Sequence, residues 1–144
     1  MIINEAIKIY GQLNFLINNA SSYYPTNIHN INEENWNELI GSNLKASLFL
    51  SKEASPFLKK SNGSIINITD AHITNPKKNY IIYSIAKSGL TTLTKSLAQE
   101  LGPEIRVNAV APGPVLWPDK SNGFNKAYRK KVISQTMLKK VGDA

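Results

Sequence analysis

The sequence predicts an α/β fold, a parallel sheet covered by helices on both faces. Three observations predict it. Short apolar runs recur along the 144 residues, at 13–17, 64–69 and 105–110. Stretches with apolar residues at helical spacing separate them. Those stretches are long enough to serve as right-handed crossovers between parallel strands.

Residues 2–10 (IINEAIKIY) read as a helix closed by Gly11. The run Leu13-Asn14-Phe15-Leu16-Ile17 reads as a short buried strand. A polar loop with Pro25 and several asparagines follows. Asn32 is a good N-cap, and Glu33 and Glu34 suit the first turn of the helix it opens. That helix, about 33–60, carries Trp36, Leu39, Ile40, Leu44, Leu48 and Leu50, runs into Pro56 and stops by Gly63. The segment 64–69 (SIINIT) is rich in β-branched residues and reads as a strand. A loop with Pro76 leads to a second long helix, about 80–101, ended by Gly102-Pro103. A third strand spans 105–110 and is broken by Pro112-Gly113-Pro114. A last, basic helix is predicted over 124–135.

Composition fits one compact domain with a real core. The formal charge is +7, but the basic residues come in short pairs and one triplet, Arg129-Lys130-Lys131, and form no long stripe. They read as solvated faces and helix ends, not a nucleic-acid surface. There is no cysteine, which excludes disulfides, thiolate metal sites and a cysteine nucleophile. No apolar run reaches membrane-spanning length and no secretory signal is visible, so the expected compartment is the cytoplasm.

In open parallel sheets, ligands bind beyond the carboxyl ends of the strands. The residues to inspect therefore follow Ile17, Ile68 and Val110. The first strand leads into Asn18-Asn19-Ala20-Ser21-Ser22-Tyr23-Tyr24-Pro25, whose small and amide residues admit a planar ligand. The second leads to Asp70 and then to Tyr83-Ser84-Ile85-Ala86-Lys87. Tyr83 and Lys87 are four apart, so phenol and ammonium share a helix face. A lysine cation stabilises phenolate and lowers a tyrosine pKa from roughly 10. Such a tyrosine can donate a proton as hydride arrives. The third strand leads to Asn108-Ala109-Val110-Ala111-Pro112-Gly113-Pro114-Val115, a turn that brings backbone close to a flat ligand. His29 and His72 lack surrounding carboxylate or cysteine clusters; they read as non-catalytic, and no metal site is expected.

Taken together, Asn18-Asn19-Ala20, Asn43 within Gly41-Ser42-Asn43, Tyr83-x-x-x-Lys87, and Arg106-Val107-Asn108 through Pro112-Gly113 resemble the short-chain dehydrogenase/reductase family. The family usually has a serine thirteen residues before the tyrosine, and here that position is Asp70. In this the chain looks like the pteridine reductase branch. The loop 18–26 and the turn from Ala111 to Pro118 (APGPVLWP) resemble the same branch. The resemblance implies a Rossmann-like, doubly wound fold and NADPH-dependent reduction of a pterin, dihydropterin to tetrahydropterin, with dihydrofolate a further substrate. It implies Tyr83 as proton donor, Lys87 as its partner and the holder of the nicotinamide ribose, and Asn43 as support for Lys87 through a water. Asn19, Ala20, Ser21, Tyr83, Lys87, Pro112, Gly113 and Val115 would line NADP(H). Tyr23, Asp70 and Tyr83 would meet the pterin, Tyr23 by stacking. Asp70 invites a choice: ionised, it would raise the Tyr83 pKa and oppose Lys87; protonated, or orienting a water, it could relay a proton. The resemblance further implies a homotetramer built on the two long helices, with no membrane or nucleic-acid partner.

Glycines stand at 11, 41, 63, 89, 102, 113, 123 and 142, and no two form G-x-G. A dinucleotide site needs such a turn for its pyrophosphate. Residues 1–144 are therefore expected to be the catalytic half of a domain, without the first strands, their glycine loop and the last strand. A sheet so reduced would expose apolar surface and need a partner. Two other functions follow from the same residues: a non-catalytic remnant or interaction module, and a general reductase of carbonyl substrates.

Overall fold

The computed structural model describes residues 2–115 and 126–142. They fall into two compact units, Met1–Ala111 and Pro112–Ala144. The first contains helix α1 (Ile2–Tyr10), strand β1 (Phe15–Asn18), a 3₁₀ turn (Ile28–Asn30), helix α2 (Glu33–Ile40), a π turn (Gly41–Lys45), helix α3 (Ala46–Lys60), strand β2 (Ser64–Ile68), helix α4 (Ile81–Leu101) and strand β3 (Arg106–Val110). The three strands are parallel and lie in the order β1-β2-β3. The predicted α/β class is what forms.

Local chemistry explains the boundaries. Gly11 takes φ +73° and donates its N–H to the Ile7 carbonyl, so α1 stops there. Asn32 caps α2 in a reciprocal box with Asn35. Pro56 does not end α3, which continues to Lys60. Proline lacks the N–H that would reach the Lys52 carbonyl. The Ser55 hydroxyl donates to that carbonyl instead, at 2.9 Å. The long helix predicted over 33–60 is interrupted by the π turn, where the Asn43 side chain donates to the Leu39 carbonyl at 3.0 Å. Gly63 marks the entry to β2. A Cβ there would stand 2.5 Å from the Asn14 carbonyl oxygen and 2.8 Å from Leu58, so the close approach of α3, β1 and β2 requires glycine.

Leu16, Ile65 and Val107 are in register across the three strands and share one face. Ala54 and Leu58 of α3, Leu97 of α4, and Ile3 and Ile105 pack with them to form the core. Leu58 is fully buried at the centre. Leu58→Ala is expected to lower stability by about 2–5 kcal/mol, read as a lower urea midpoint at unchanged slope. A midpoint equal to that of the parent chain would show that Leu58 is not central to the core. The other face carries Phe15, Ile17 and Val110, which are 62%, 60% and 50% exposed.

The carboxyl ends of the strands are tied together by a buried polar chain. Asn18 and Asn67 are register partners, and the Asn18 amide donates to Asn67 Oδ1 at 2.8 Å. The Asn67 amide donates to Thr94 Oγ1 of α4 at 2.9 Å, and Thr94 donates to the Leu90 carbonyl. A buried chain of hydrogen bonds of this kind fixes geometry more than it adds net stability, and it leaves Asn18 Oδ1 without a hydrogen-bond partner among the described residues. It holds α4, which bears Tyr83 and Lys87, against β1 and β2.

The second unit contains Pro112, Gly113 and Val115, and helix α5 (Lys126–Gln135). The Gly142 N–H donates to the Pro114 carbonyl at 3.0 Å. Leu116, Trp117 and Pro118 of the predicted turn lie outside the described residues, as do positions 124 and 125 of the predicted helix.

Candidate active site

The site in the first unit is assembled at the carboxyl ends of β1 and β2 and the start of α4. Beyond β2, Thr69 donates its backbone N–H to the Val110 carbonyl, which keeps the chain extended to the next residue. Asp70 follows, and its side chain accepts the His72 backbone N–H at 2.7 Å. This turn aims the other carboxylate oxygen, Oδ2, at Tyr83, whose hydroxyl donates to it at 2.8 Å. The thirteen-residue spacing read from sequence is therefore a direct contact.

Lys87 lies one helical turn beyond Tyr83 and is buried. Its ammonium donates to the Ile68 carbonyl at 2.8 Å and stands 5.8 Å from the Tyr83 ring centroid. The loop after β1 closes the other side. Thr26 forms a parallel bridge with Tyr80, just before α4. The bridge sets Tyr23 against two aromatic rings. It stacks on Tyr80 at 4.7 Å and meets Tyr83 edge-on at 4.8 Å between centroids. Lys77 lies over the Tyr80 ring at 4.7 Å.

The electrostatics follow from these neighbours. The Tyr83 phenol is pushed well above its ordinary value, first by burial and then by the hydrogen bond and charge of Asp70, with Tyr23 adding to them. Burial pushes the Asp70 carboxyl up, but the His72 backbone N–H, the Tyr83 hydroxyl and the His72 ring outweigh it and hold Asp70 below the usual carboxylate range. Burial pulls the Lys87 ammonium below its ordinary value, against the opposing attraction of Asp70. One expectation is thereby corrected and one choice is decided. Lys87 does not bring the Tyr83 pKa down, because the carboxylate touches the phenol and the ammonium does not. Of the choices for Asp70, the ionised one holds, since three hydrogen bonds favour the charged form.

Asn43 is buried in the π turn, and Ser21 donates to its Oδ1 at 2.6 Å. Its amide donates to the Ser22 and Leu39 carbonyls at 2.9 and 3.0 Å. Its direct partners belong to the loop after β1 and the helix before it, and Lys87 is not among them. Asn19 and Ala20 are exposed in that loop. Pro112, Gly113 and Val115 belong to the second unit, where a Cβ on Gly113 would meet open space.

Sequence reasoning missed two residues. Tyr80, three before Tyr83, could have been found from its helical spacing. His72 places its Nδ1 3.0 Å from Asp70 Oδ1, a contact that the turn creates and composition does not signal. Among the described residues, no group of three or more acidic or imidazole side chains could hold a metal ion. No described helix is long and apolar enough to cross a membrane.

A family sequence model described as enoyl-(acyl carrier protein) reductase matches residues 1–144. The chain belongs to the short-chain dehydrogenase/reductase family. It is 31% identical over 147 residues to a 7alpha-hydroxysteroid dehydrogenase of Bacteroides fragilis, covering 99% of this chain and 57% of that protein. It is 30% identical over 143 residues to the chloroplastic NADPH-dependent aldehyde reductase 1 of Arabidopsis thaliana, covering 98% and 49%. A solved structure assigned as a short-chain alcohol dehydrogenase of Sinorhizobium meliloti superposes with a TM-score of 0.89 at 26% identity, over 99% of this chain and 57% of that one. The chain thus spans about half the length of the curated relatives it matches. These relatives are oxidoreductases, and the family works with nicotinamide cofactors.

The residues present suit the nicotinamide end of such a cofactor. Lys87 is buried and uses one of its three N–H donors on Ile68, which leaves two for hydroxyl groups. Residues 19–21, in the loop after β1, are exposed.

Proposed function

We propose that the whole protein reduces a pterin, dihydropterin to tetrahydropterin, with NADPH. The observation that carries this reading is the Asp70 carboxylate on the Tyr83 hydroxyl, where the wider family has a serine. A pterin ring presents nitrogen atoms that need a proton as the adjacent carbon takes hydride. Tyr83, held protonated by Asp70, is suited to give it. Lys87 binds the ribose hydroxyls of the cofactor and Asn19, Ala20 and Ser21 line it. A reduced nicotinamide supplies hydride when bound there. Tyr23 covers the flat substrate, a role that its stacking on Tyr80 supports. By the same resemblance the full-length protein is a cytoplasmic homotetramer.

The chemistry of the relatives supports a second reading. They are named for steroid and aldehyde substrates, so the protein would instead reduce a carbonyl. One assay separates the two. The whole protein is given NADPH with dihydrobiopterin, dihydrofolate or a panel of ketones and aldehydes, and cofactor oxidation is followed. Pterin reduction is expected to exceed carbonyl reduction in kcat/KM by at least about tenfold. The reverse order establishes the carbonyl reading, and no turnover of either class establishes the non-catalytic one.

A further inference from the structure

Both oxygens of the Asp70 carboxylate are engaged, Oδ1 by the backbone N–H and the ring of His72 and Oδ2 by Tyr83. Tyr83 donates to Oδ2 at 2.8 Å and His72 Nδ1 approaches Oδ1 at 3.0 Å. The two contacts make a continuous path from the half-buried phenol to the histidine ring. That ring is open to solvent, with 74% of its side-chain surface exposed, whereas the Asp70 side chain is 20% exposed. Imidazole has two ring nitrogens, so it can take a proton from water on one and give one up from the other. The path thus has an acid at its inner end, a carboxylate bridge, and a proton exchanger at its outer end. We infer that His72 is the proton entry of this site, returning a proton through Asp70 to Tyr83 after each reduction.

The inference rests on the reading of Tyr83 as proton donor. As the C=N bond of the substrate is reduced, its carbon takes hydride from the reduced nicotinamide and its nitrogen takes the Tyr83 proton. Tyr83 is left as phenolate. The ionised Asp70 first takes a proton from His72 Nδ1 on Oδ1, the carboxyl group turns to present that proton to the phenolate, and on giving it up Asp70 is again a carboxylate. His72 regains a proton from water. No electrons move along the path. Burial and the adjacent carboxylate make the Tyr83 phenolate a stronger base than free tyrosine, so the proton runs inward. At the phenol end of the path Tyr23 meets the Tyr83 ring edge-on and stacks on Tyr80. His72 thus acts through Asp70 and is a positioning residue in the strict sense, with a charge to carry.

The test uses the whole protein with NADPH and dihydrobiopterin. The first hydride transfer uses the proton already on Tyr83; later turnovers need the relay. His72→Ala is therefore expected to lower steady-state kcat by about tenfold, at the low end of acid–base contributions, and to slow the single-turnover rate far less. Added imidazoles should restore turnover in order of their basicity. His72→Asn can still donate to Asp70 Oδ1 but cannot carry a proton, so it should be as slow as His72→Ala. Recovery of turnover in His72→Asn would overturn the relay and leave a purely structural contact. So would steady-state rates that match the parent in both variants. Absence of any single-turnover reduction in the parent protein would instead defeat the reading of Tyr83 as a pterin-reducing donor. A further readout needs no cofactor. The ¹⁵N resonance of His72 Nδ1 should report a proton shared with Asp70 and should shift in Asp70→Asn, and an Nδ1 signal indifferent to that substitution would overturn the path.

Discussion

Tyr83→Phe is expected to lower kcat for reduction by about 10²–10⁴-fold in the whole protein, with KM little changed. The ring is retained, so its edge contact with Tyr23 survives and the helix start is undisturbed. Only the hydroxyl is lost, and with it the proton that the substrate nitrogen needs. Asp70 keeps its two contacts with His72 and remains satisfied. A circular dichroism melt should therefore match the parent closely while the rate collapses. Steady-state and single-turnover rates equal to those of the parent would show that the proton comes from elsewhere.

Much of this architecture was legible in the sequence because it is built from periodic patterns. The strands at β1, β2 and β3 and the helix bearing Tyr83 followed from apolar runs and spacing, to within two residues at each end. The π turn was not legible. It depends on the Asn43 side chain entering the hydrogen-bond ladder at Leu39, and that is a tertiary choice tied to the loop it holds at Ser21 and Ser22. Pro56 sits inside the helix read over 33–60, and what the spacing did not show is that the Ser55 hydroxyl takes up the Lys52 carbonyl the proline cannot reach. The candidate site divides in the same way. Tyr83, Lys87 and Asp70 could be placed together from their intervals of four and thirteen residues. Their electrostatics could not, because the sign of the effect on Tyr83 turns on which neighbour makes contact. His72 read as non-catalytic because no cluster of carboxylates or cysteines surrounds it in the sequence. The backbone fold at Asp70 brings the ring onto a carboxylate already engaged with the phenol.

The second large effect is expected at Asp70. Replacement by asparagine removes the carboxylate charge beside Tyr83 but keeps a polar group of similar shape. Two of the causes that raise the phenol, the Asp70 hydrogen bond and its charge, then weaken, while burial and Tyr23 persist. The phenol pKa must fall relative to the parent, toward the ordinary value of 10.0. Tyr83 donates only while protonated, so the alkaline limb of kcat/KM moves to lower pH in Asp70→Asn. Phenolate absorbance, taken as the difference from Tyr83→Phe, should show the same displacement without cofactor. The acid side has the opposite sign. Asp70 is held below the usual carboxylate value of 3.8, so it remains ionised through mildly acid conditions. Its contribution to stability is present above that value and is lost as pH falls through the depressed one. Asp70→Asn should be insensitive in that window. Asp70→Ser restores the residue type of the wider family, and is expected to lose dihydropterin reduction by more than about tenfold while retaining activity on carbonyl substrates. The reason is that a serine hydroxyl can orient Tyr83 but offers no charge to keep it protonated and no path from His72. An unchanged pH–rate profile together with an unchanged preference between pterin and carbonyl would refute the role given to the carboxylate.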